Sequence, residues 1–248
     1  MATSRSPESV HPPRRPSRAF FALRNTLAVD RTFWRRRFWA GLHLAREAQR
    51  RGAMQKLAEF GPLLTLLARR RPRVVVEIGT YRGGSFYALC RVADPHATVV
   101  SIDLPGGLFG GGYNDDELRS LRGYGLSSQS LYFLAVDSHE DSTHDAVVEL
   151  LAGRPIDLLF IDGDHRYEGV RRDFEMYSPL VGADGLIAFH DILPHAGAPI
   201  CQVNVFWDEI RHCYRHVELV DPAEDWGVGQ WGGIGVLFAP ARRARRGA

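Results

Sequence analysis

Acidic and imidazole side chains recur at the ends of five short apolar runs of the sequence. They are Glu77 in the first run, Asp103 after the second, Asp137 after the third, Asp162 and His165 after the fourth, and His190 and Asp191 after the fifth. Carboxylates bind cations and accept hydrogen bonds from hydroxyl groups, and an imidazole can take up a proton near neutral pH. Since a stable core does not require an acid at the end of every run, the pattern predicts a functional site.

A glycine-rich segment, GTYRGGS at residues 79–85, follows the first run and narrows the choice of cofactor. A dinucleotide-binding loop needs a second glycine where this chain has Tyr81, because the pyrophosphate approaches the backbone there. An acid at Glu77 favours a cofactor that has a positive centre and no phosphates. S-adenosylmethionine fits, since its sulfonium and amino groups are cationic. Asp103, at the end of the next run, can accept hydrogen bonds from both ribose hydroxyls.

The apolar runs alternate with segments of helical periodicity, which predicts a parallel sheet with helices between its strands. The predicted strands are Val74–Ile78, Thr98–Ile102, Leu131–Val136, Asp157–Ile161, Gly185–Phe189, His216–Val220 and Ile234–Phe238. The predicted helices are Met54–Leu67, Ser85–Val92, Asp115–Leu121, Thr143–Leu151, Tyr167–Leu180 and Val203–His212. The fold class is α/β, doubly wound, with a mainly parallel seven-stranded Rossmann-like sheet and helices on both faces. In such sheets ligands bind beyond the carboxyl ends of the strands, where the acids lie.

The composition excludes several classes of protein. Of the 248 residues 45% are hydrophobic and 24% are charged, which is typical of a globular domain and not of a disordered chain or a fibre. No apolar run reaches the roughly 18 residues of a membrane span. Three scattered cysteines (Cys90, Cys201 and Cys213) lack metal-binding spacing, so we expect reduced thiols in a cytoplasmic protein. The arginine-rich ends are expected to be solvated tails, and no nucleic-acid partner is expected.

Four sequence blocks resemble those of class I S-adenosylmethionine-dependent methyltransferases. The blocks are VVEIGTYRGGS, SIDLPGG, LLFIDGDHRYEGVRRDFEMYSPLV and GLIAFHDI. Within that class the chain is most similar to the metal-dependent macrolide-sugar O-methyltransferases and the cephalosporin hydroxylase-like proteins. The resemblance covers roughly residues 54–238 and does not extend to residues 1–50.

The resemblance implies a role for each residue at the strand ends. On the methionine side of S-adenosylmethionine it implies Glu77, Gly79, Thr80, Gly83 and Ser85. It implies that Asp103 binds the ribose, that Asp137 and Ser138 bind the adenine, and that Asp162 lies close to both cofactor and metal. By likeness to the macrolide-sugar enzymes, Asp162 is a magnesium ligand, His165 is the general base, and His190 and Asp191 complete the metal site.

The chain departs from this pattern at His190, where the relatives have a carboxylate. The resemblance implies Mg²⁺, which prefers oxygen ligands such as the two carboxylates. Imidazole suits softer metals, so His190 makes Mn²⁺ the alternative. His190 is then either a ligand or a residue that orients Asp191 or the substrate.

Four segments follow from composition and periodicity. Residues 1–18 are predicted to be a disordered basic tail, 19–53 a helical N-terminal extension, 54–240 the methyltransferase domain and 241–248 a basic C-terminal tail. In the extension, Trp34, Phe38 and Leu42 share one helical face. We expect this face to dock on the main domain or on a second subunit. The second case would make the protein a homo-oligomer. A helix lying on a membrane surface is the alternative.

Several residues near the predicted site have plain structural alternatives. His165 can cap the helix that begins near Tyr167, and Asp164 is either a helix cap or a spare ligand. Trp226 and Trp231 either pack beside the last strand or form a wall for the substrate. The glycine-rich residues 104–116 are expected to lie over the cofactor. Four histidines are interpreted as structural or solvated: His139, His144, His212 and His216.

The sequence therefore predicts an O-methyltransferase that acts on a small hydroxylated metabolite, such as a sugar, a natural product or an aromatic. One alternative is a nucleotide-dependent oxidoreductase or hydroxylase-like enzyme in the same crevice, which Tyr81 disfavours. The other is a non-catalytic protein that binds S-adenosylmethionine. Binding alone does not need the set of Asp162, His165 and Asp191, so that set favours an enzyme.

Overall fold

Seven strands form one sheet in the computed structural model, which describes residues 31–221 and 229–240, the first eight of them in backbone only. The strands are β1 (Val74–Ile78), β2 (Thr98–Ile102), β3 (Ser130–Leu134), β4 (Ile156–Ile161), β5 (Val181–His190), β6 (Arg215–Leu219) and β7 (Ile234–Phe238). Their order is β3-β2-β1-β4-β5-β7-β6, and only the pairs made by β7 are antiparallel. The predicted α/β, Rossmann-like fold is confirmed.

Helices connect the strands and cover both faces of the sheet. Within the described residues the α-helices are α1 (Arg31–Gln49), α2 (Leu57–Arg70), α3 (Gly84–Val92), α4 (Asp115–Arg122), α5 (Asp141–Leu151), α6 (Tyr167–Tyr177) and α7 (Val203–Ile210). Short 3₁₀ turns at Ser178–Leu180 and Arg211–Cys213 continue α6 and α7. The predicted tails, residues 19–30 of the predicted extension, and Trp226 lie outside the described residues.

Alternating side chains of β1 enter two hydrophobic cores, one on each face of the sheet. All five residues of β1 are buried, as expected for a central strand. Val75 packs with Phe60 of α2 and Phe86 of α3, whereas Val76 belongs to the core that includes Val170 of α6. Since side chains alternate along a strand, Glu77 lies on the face of Val75, beneath α2 and α3. Both faces of the strands that end at the site are thereby held rigidly.

The N-terminal helix α1 docks on the main domain and shares its core. It packs against α2 and α3, and Ala45 and Ala48 are fully buried in the same cluster as the core side chains of α2. Two glycines, Gly41 of α1 and Gly61 of α2, face the partner helix so closely that a Cβ on either would overlap it. The backbones therefore approach more closely than two helices with larger side chains could.

Many of the predicted boundaries differ from the observed ones by a few residues, and two of these differences, in strands β5 and β3, are informative. Strand β5 begins at Val181 instead of Gly185, because Val181 pairs with Ile156 before a register shift in the ladder. Strand β3 ends at Leu134 instead of Val136 and is only partly buried along its length. At the start of β5, residues of low strand propensity weaken the apolar pattern. In β3, partial exposure of the strand weakens it.

The antiparallel strand β7 lies between β5 and β6 and returns the chain to the site. It pairs with β5 from Ile234 opposite His190 to Phe238 opposite Leu186. The residues just before β7 consequently lie beside the carboxyl end of β5. No helix in the described part of the chain is both long and apolar enough to cross a membrane.

Replacing Gly41 by valine is expected to destabilise the protein, because the new Cβ would overlap the Gly61 carbonyl oxygen and the Thr65 hydroxyl. Overpacking of this kind costs about 1–3 kcal/mol. Ala40→Val on the exposed side of α1 is the control. Helix propensity alone would make Gly41→Val more stable, and Ala40→Val less stable, than the wild type. Urea unfolding should therefore show Gly41→Val as the less stable variant; the opposite order would contradict the close approach of α1 and α2.

Candidate active site

Two carboxylates and two imidazoles meet at the carboxyl ends of the neighbouring strands β4 and β5. Asp162 follows β4, His190 ends β5, and the parallel register that pairs Ile161 with Phe189 brings them together. His190 Nδ1 lies 3.1 Å from Asp162 Oδ1, and His165 Nδ1 lies 3.1 Å from Asp191 Oδ2. Asp191 adopts a φ of 62°, which is unusual for a residue other than glycine and marks a constrained position.

The charges in this cluster balance when both rings carry a proton. Burial lowers the pKa of His165, but the hydrogen bonds to Asp162 and Asp191 outweigh burial and hold that pKa well above its ordinary value. For His190 burial likewise lowers the pKa, and the charges of Asp191 and Asp162 raise it well above the ordinary value. Burial raises the pKa of the Asp191 carboxyl, yet the charge of His190 holds it well below its usual range.

The same cluster has the donor atoms of a divalent-cation site. One ligand atom each from Asp162, His190 and Asp191 lie within 4.8 Å of one another, and all three side chains are largely buried. The Oδ1 atom of Asp191 is buried and makes no hydrogen bond with the described residues. A divalent cation would compensate the two carboxylates as well as two ring protons do, so the residues fit a cation.

Gln55 also contacts the cluster, and the sequence analysis missed it. It lies between α1 and α2, is 3% exposed, and donates from Nε2 to Asp162 Oδ2 at 2.5 Å. The carbonyl of Gln55 accepts a hydrogen bond from Gln49 of α1, which ties this contact to the docked N-terminal helix. A single glutamine outside any motif gives no sequence signal, so only the packing reveals that it orients Asp162.

The glycine-rich segment after β1 passes directly over the end of β4. Gly79 has a φ of 84°, and a Cβ there would overlap the carbonyl of Asp162. Thr80 donates a hydrogen bond to Glu77 at 2.8 Å. Glu77 is fully buried beneath this segment and does not line the cavity described below. Gly83, at the start of α3, does not line it either, since it packs against Leu121.

Asp103 holds two loops together, which the sequence analysis did not anticipate. Its carboxylate accepts backbone N–H groups from Thr80 at 2.8 Å, from Tyr81, and from Gly112 at 2.9 Å. Burial raises the pKa of the Asp103 carboxyl above its ordinary value, although these three donors partly oppose that rise. Because a carboxylate can accept about four hydrogen bonds, the donors leave little free capacity for a ribose diol until Gly112 moves away.

A second polar cluster lies after β3, at the predicted adenine position. Ser138 donates to Asp173 Oδ1 at 2.7 Å, and His139 Nε2 lies 3.3 Å from the same atom. The His139 backbone N–H donates to Asp137 at 2.9 Å. His139, interpreted from the sequence as structural or solvated, makes structural contacts with Asp173 and Asp137 and also lines the cavity.

Aromatic rings form two walls of the cavity. Phe109, in the glycine-rich loop, stacks on His165 with ring centroids 4.6 Å apart. Trp231 is 6% exposed and lies edge-on to His190. Lys56 donates to the carbonyl of Trp231 at 2.8 Å and pairs with buried Glu59 at 4.0 Å. The only lysine of the chain thus anchors one wall.

These elements enclose a cavity of about 440 Å³. Most of the predicted site residues line it: Gly79, Thr80, Ser85, Asp103, Asp137, Ser138, Asp162, His165, His190 and Asp191. The glycine-rich loop lies over it, as predicted, through Leu104 and residues 107–111.

The structural alternatives for two residues are now clear. Neither His165 nor Asp164 caps α6, whose N-cap residue is Arg166 and which has no side-chain cap. Asp164 instead accepts hydrogen bonds from the backbone and side chain of Arg166. It lies outside the three-residue cluster that could hold a cation.

Comparison with known proteins assigns the central part of the chain to a family. Residues 76–192 match a family model described as a methyltransferase domain. Uncharacterized protein R132 of Acanthamoeba polyphaga mimivirus is 29% identical over 124 residues, which cover 50% of this chain and 53% of that protein. Uncharacterized protein y4gI of Sinorhizobium fredii (strain NBRC 101917 / NGR234) is 25% identical over 124 residues, which cover 49% of this chain and only 13% of that protein.

Solved structures share the fold over most of the chain. Cofactor-bound Rv0187 from MTB has 18% identity and a TM-score of 0.53, covering 92% of this chain and all of that one. An O-methyltransferase from Bacillus cereus in complex with SAH has 15% identity and a TM-score of 0.52, covering 89% and 96%. MycE from the mycinamycin biosynthetic pathway, in complex with Mg and SAH, has 15% identity and a TM-score of 0.50, covering 84% and 56%. Residues 76–192 thus match a methyltransferase domain, and the fold is that of solved methyltransferases, in agreement with the resemblance of the four sequence blocks to class I S-adenosylmethionine-dependent methyltransferases.

Proposed function

We propose that this protein is a cation-assisted O-methyltransferase that methylates a small hydroxylated metabolite, a sugar, natural product or aromatic. The observation that carries the proposal is the cluster of Asp162, His165, His190 and Asp191, which borders the cavity next to the glycine-rich segment. Binding S-adenosylmethionine alone would not require two acids and two imidazoles at one point. The O-methyltransferases that share the fold support transfer to oxygen.

The cofactor would lie along the ends of β1, β2 and β3. The Gly79–Ser85 segment would hold its methionine part, Asp103 its ribose, and Asp137 with Ser138 its adenine. S-adenosylmethionine supplies an electrophilic methyl group on a positively charged sulfur. The Gly112 N–H must leave Asp103 for the ribose hydroxyls to take its place, so we infer that the glycine-rich loop shifts on binding.

His165 would take the proton of the acceptor hydroxyl. It is partly exposed to the cavity, and Asp191 Oδ2 beside Nδ1 stabilises the ring when it is protonated. Because the neighbouring carboxylates raise the pKa of His165, the ring would have to be in its neutral form before it could accept that proton. General base catalysis contributes typically about 10²–10⁴-fold to a rate.

Asp162, His190 and Asp191 would hold a divalent cation, with Mg²⁺ or Mn²⁺ proposed. A divalent cation there supplies positive charge that lowers the pKa of an acceptor hydroxyl. MycE, which shares the fold, has Mg bound in its structure. Gln55 orients Asp162 from the opposite side of the cluster.

The walls of the cavity suggest the size and character of the acceptor. Phe109 and Trp231 offer aromatic surfaces near the proposed base, which suits the apolar face of a sugar or an aromatic ring. The unpaired state of all three cysteines supports the proposed cytoplasmic location. A second copy of the chain docked on residues 19–53 remains a prediction.

Asp103→Ala is expected to weaken S-adenosylmethionine binding about 10–100-fold, which corresponds to about 1.5–3 kcal/mol for hydrogen bonds to a charged group. It should also lower the melting temperature, because three backbone N–H groups lose their acceptor. Asp145→Ala, on the exposed surface of α5, is the control and should change neither quantity. Isothermal titration calorimetry measures the affinity; an unchanged value would remove Asp103 from the site.

Glu77→Gln is expected to alter the pH dependence of stability. Burial raises the pKa of Glu77 to about 8, so the folded protein retains a proton that the unfolded chain loses at ordinary carboxyl pKa values. This group's stabilisation is therefore full at acidic pH and is lost as the pH rises towards about 8. Relative to Glu77→Gln, the wild type should lose unfolding free energy across that window in urea titrations. Parallel curves would show that Glu77 ionises normally.

Chelation is expected to abolish methyl transfer, and Mg²⁺ or Mn²⁺ to restore it, in an assay of S-adenosylhomocysteine formation with a panel of sugars and phenols. Asp162→Asn and Asp191→Asn should each remove the cation response. His165→Ala should lower turnover by about 10² or more while leaving cofactor affinity nearly unchanged, as the loss of a general base would.

His190→Ala separates a ligand from an orienting residue. A large fall in cation affinity would make His190 a ligand, whereas a fall of only about 10–100-fold is typical of an outer partner. Full turnover in excess chelator would contradict the cation role altogether. Asp162 and Asp191 would then be contacts of the cofactor or the acceptor.

A further inference from the structure

Cys201 forms a second group of potential ligands on the other side of Asp191. Ligand atoms from His165, Asp191 and Cys201 lie within 4.8 Å of one another. Cys201 is 5% exposed and lines the cavity, so its thiol faces the site and not the bulk solvent. Its hydrogen bond to the His165 side chain is one of the contacts that raise the pKa of that ring.

The backbone fixes the thiol at this position. The N–H of Gln202 donates to the His165 carbonyl at 2.7 Å, which joins the segment after β5 to the segment after β4. The N–H of Cys201 donates to the carbonyl of Ala198 at 2.9 Å and closes a turn. Because the two segments are tied within one residue of the ligand atoms, the three side chains converge without any rearrangement of the chain.

We propose that His165, Asp191 and Cys201 form a binding site for a thiophilic divalent cation such as Zn²⁺, distinct from the Asp162, His190 and Asp191 cluster although it shares Asp191. Sulfur, imidazole nitrogen and carboxylate oxygen together are a ligand set that Zn²⁺ and Co²⁺ accept and that Mg²⁺ does not prefer. On binding, the Cys201 thiol releases its proton to solvent and the thiolate coordinates the cation. Spacing along the chain does not indicate this site, because His165 follows β4 whereas Asp191 and Cys201 lie at opposite ends of the segment between β5 and α7.

Such a cation would inhibit methyl transfer. It would occupy a ring nitrogen of His165 and one carboxylate of the proposed Mg²⁺ or Mn²⁺ site, so neither proton transfer nor that site could operate normally. This consequence rests on the proposed function, whereas the binding of the cation does not. The site would therefore make the enzyme sensitive to zinc at the residue that acts as base.

The binding is tested with Co²⁺, whose thiolate complexes absorb strongly in the near ultraviolet. The full-length protein should develop this charge-transfer band on Co²⁺ addition and lose it when Zn²⁺ is added in competition. Cys201→Ser should abolish the band. Cys213→Ser is the matched control and should retain it, because Cys213 is exposed and outside the cavity. Burial raises the pKa of Cys90 to about 12, so that residue does not supply a thiolate.

Asp162→Asn distinguishes the two cation sites and should retain the band, since Asp162 belongs only to the other cluster. A band that persists in Cys201→Ser, or no band in the wild type, would overturn the proposal. In methyl transfer, the concentration of Zn²⁺ that halves the rate should rise in Cys201→Ser by at least the roughly 10–100-fold that loss of an outer partner costs. A protein with the band but without methyl transfer to any acceptor would contradict the proposed function and still support the zinc site.

Discussion

The mutual repulsion of two buried carboxylates is the constraint on which this site depends. Asp162 and Asp191 follow adjacent parallel strands, so the sheet itself brings their largely buried side chains together. Two such charges require compensation, because desolvation makes each of them costly. His165 and His190 provide it by lying between the acids. A divalent cation would offer the same compensation, as the proposed function requires.

The surrounding structure restricts how this cluster can relax. From the N-terminal side, Gln55 holds Asp162, and the packing of α1 on α2 holds Gln55. Lys56 and Glu59, from the same part of the chain as Gln55, fix the backbone near Trp231 in the C-terminal part. The ring of Trp231 lies beside His190. The carbonyl of Asp162 is covered by Gly79, where no larger residue would fit. Parts of the chain far apart in sequence therefore converge on a few polar atoms, as a preorganised site requires.

The sequence was sufficient for the strands and for most of the strand-end residues. Strands β1, β2 and β7 were predicted at their observed bounds, because buried strands leave short, mainly apolar runs in the sequence. The insertion of β7 between β5 and β6 was not predictable, since apolar spacing does not encode strand order. Gln55 was missed, and the contacts of His139 and Cys201 at the site were not predicted, because each acts through a contact made in three dimensions and belongs to no motif. Asp103 was predicted at the site, but its three backbone partners depend on the shape of two loops.

The central claim is that Asp162, His190 and Asp191 bind a cation beside the cofactor. Anomalous diffraction from crystals grown with Mn²⁺ and S-adenosylhomocysteine tests it most directly, because the Mn²⁺ signal identifies the metal and its ligands together. We expect one strong anomalous peak among the Asp162 and Asp191 carboxylates and the His190 ring, next to the bound cofactor product. A structure with S-adenosylhomocysteine bound, no anomalous peak at these residues, and both imidazoles still paired with the two carboxylates would contradict it.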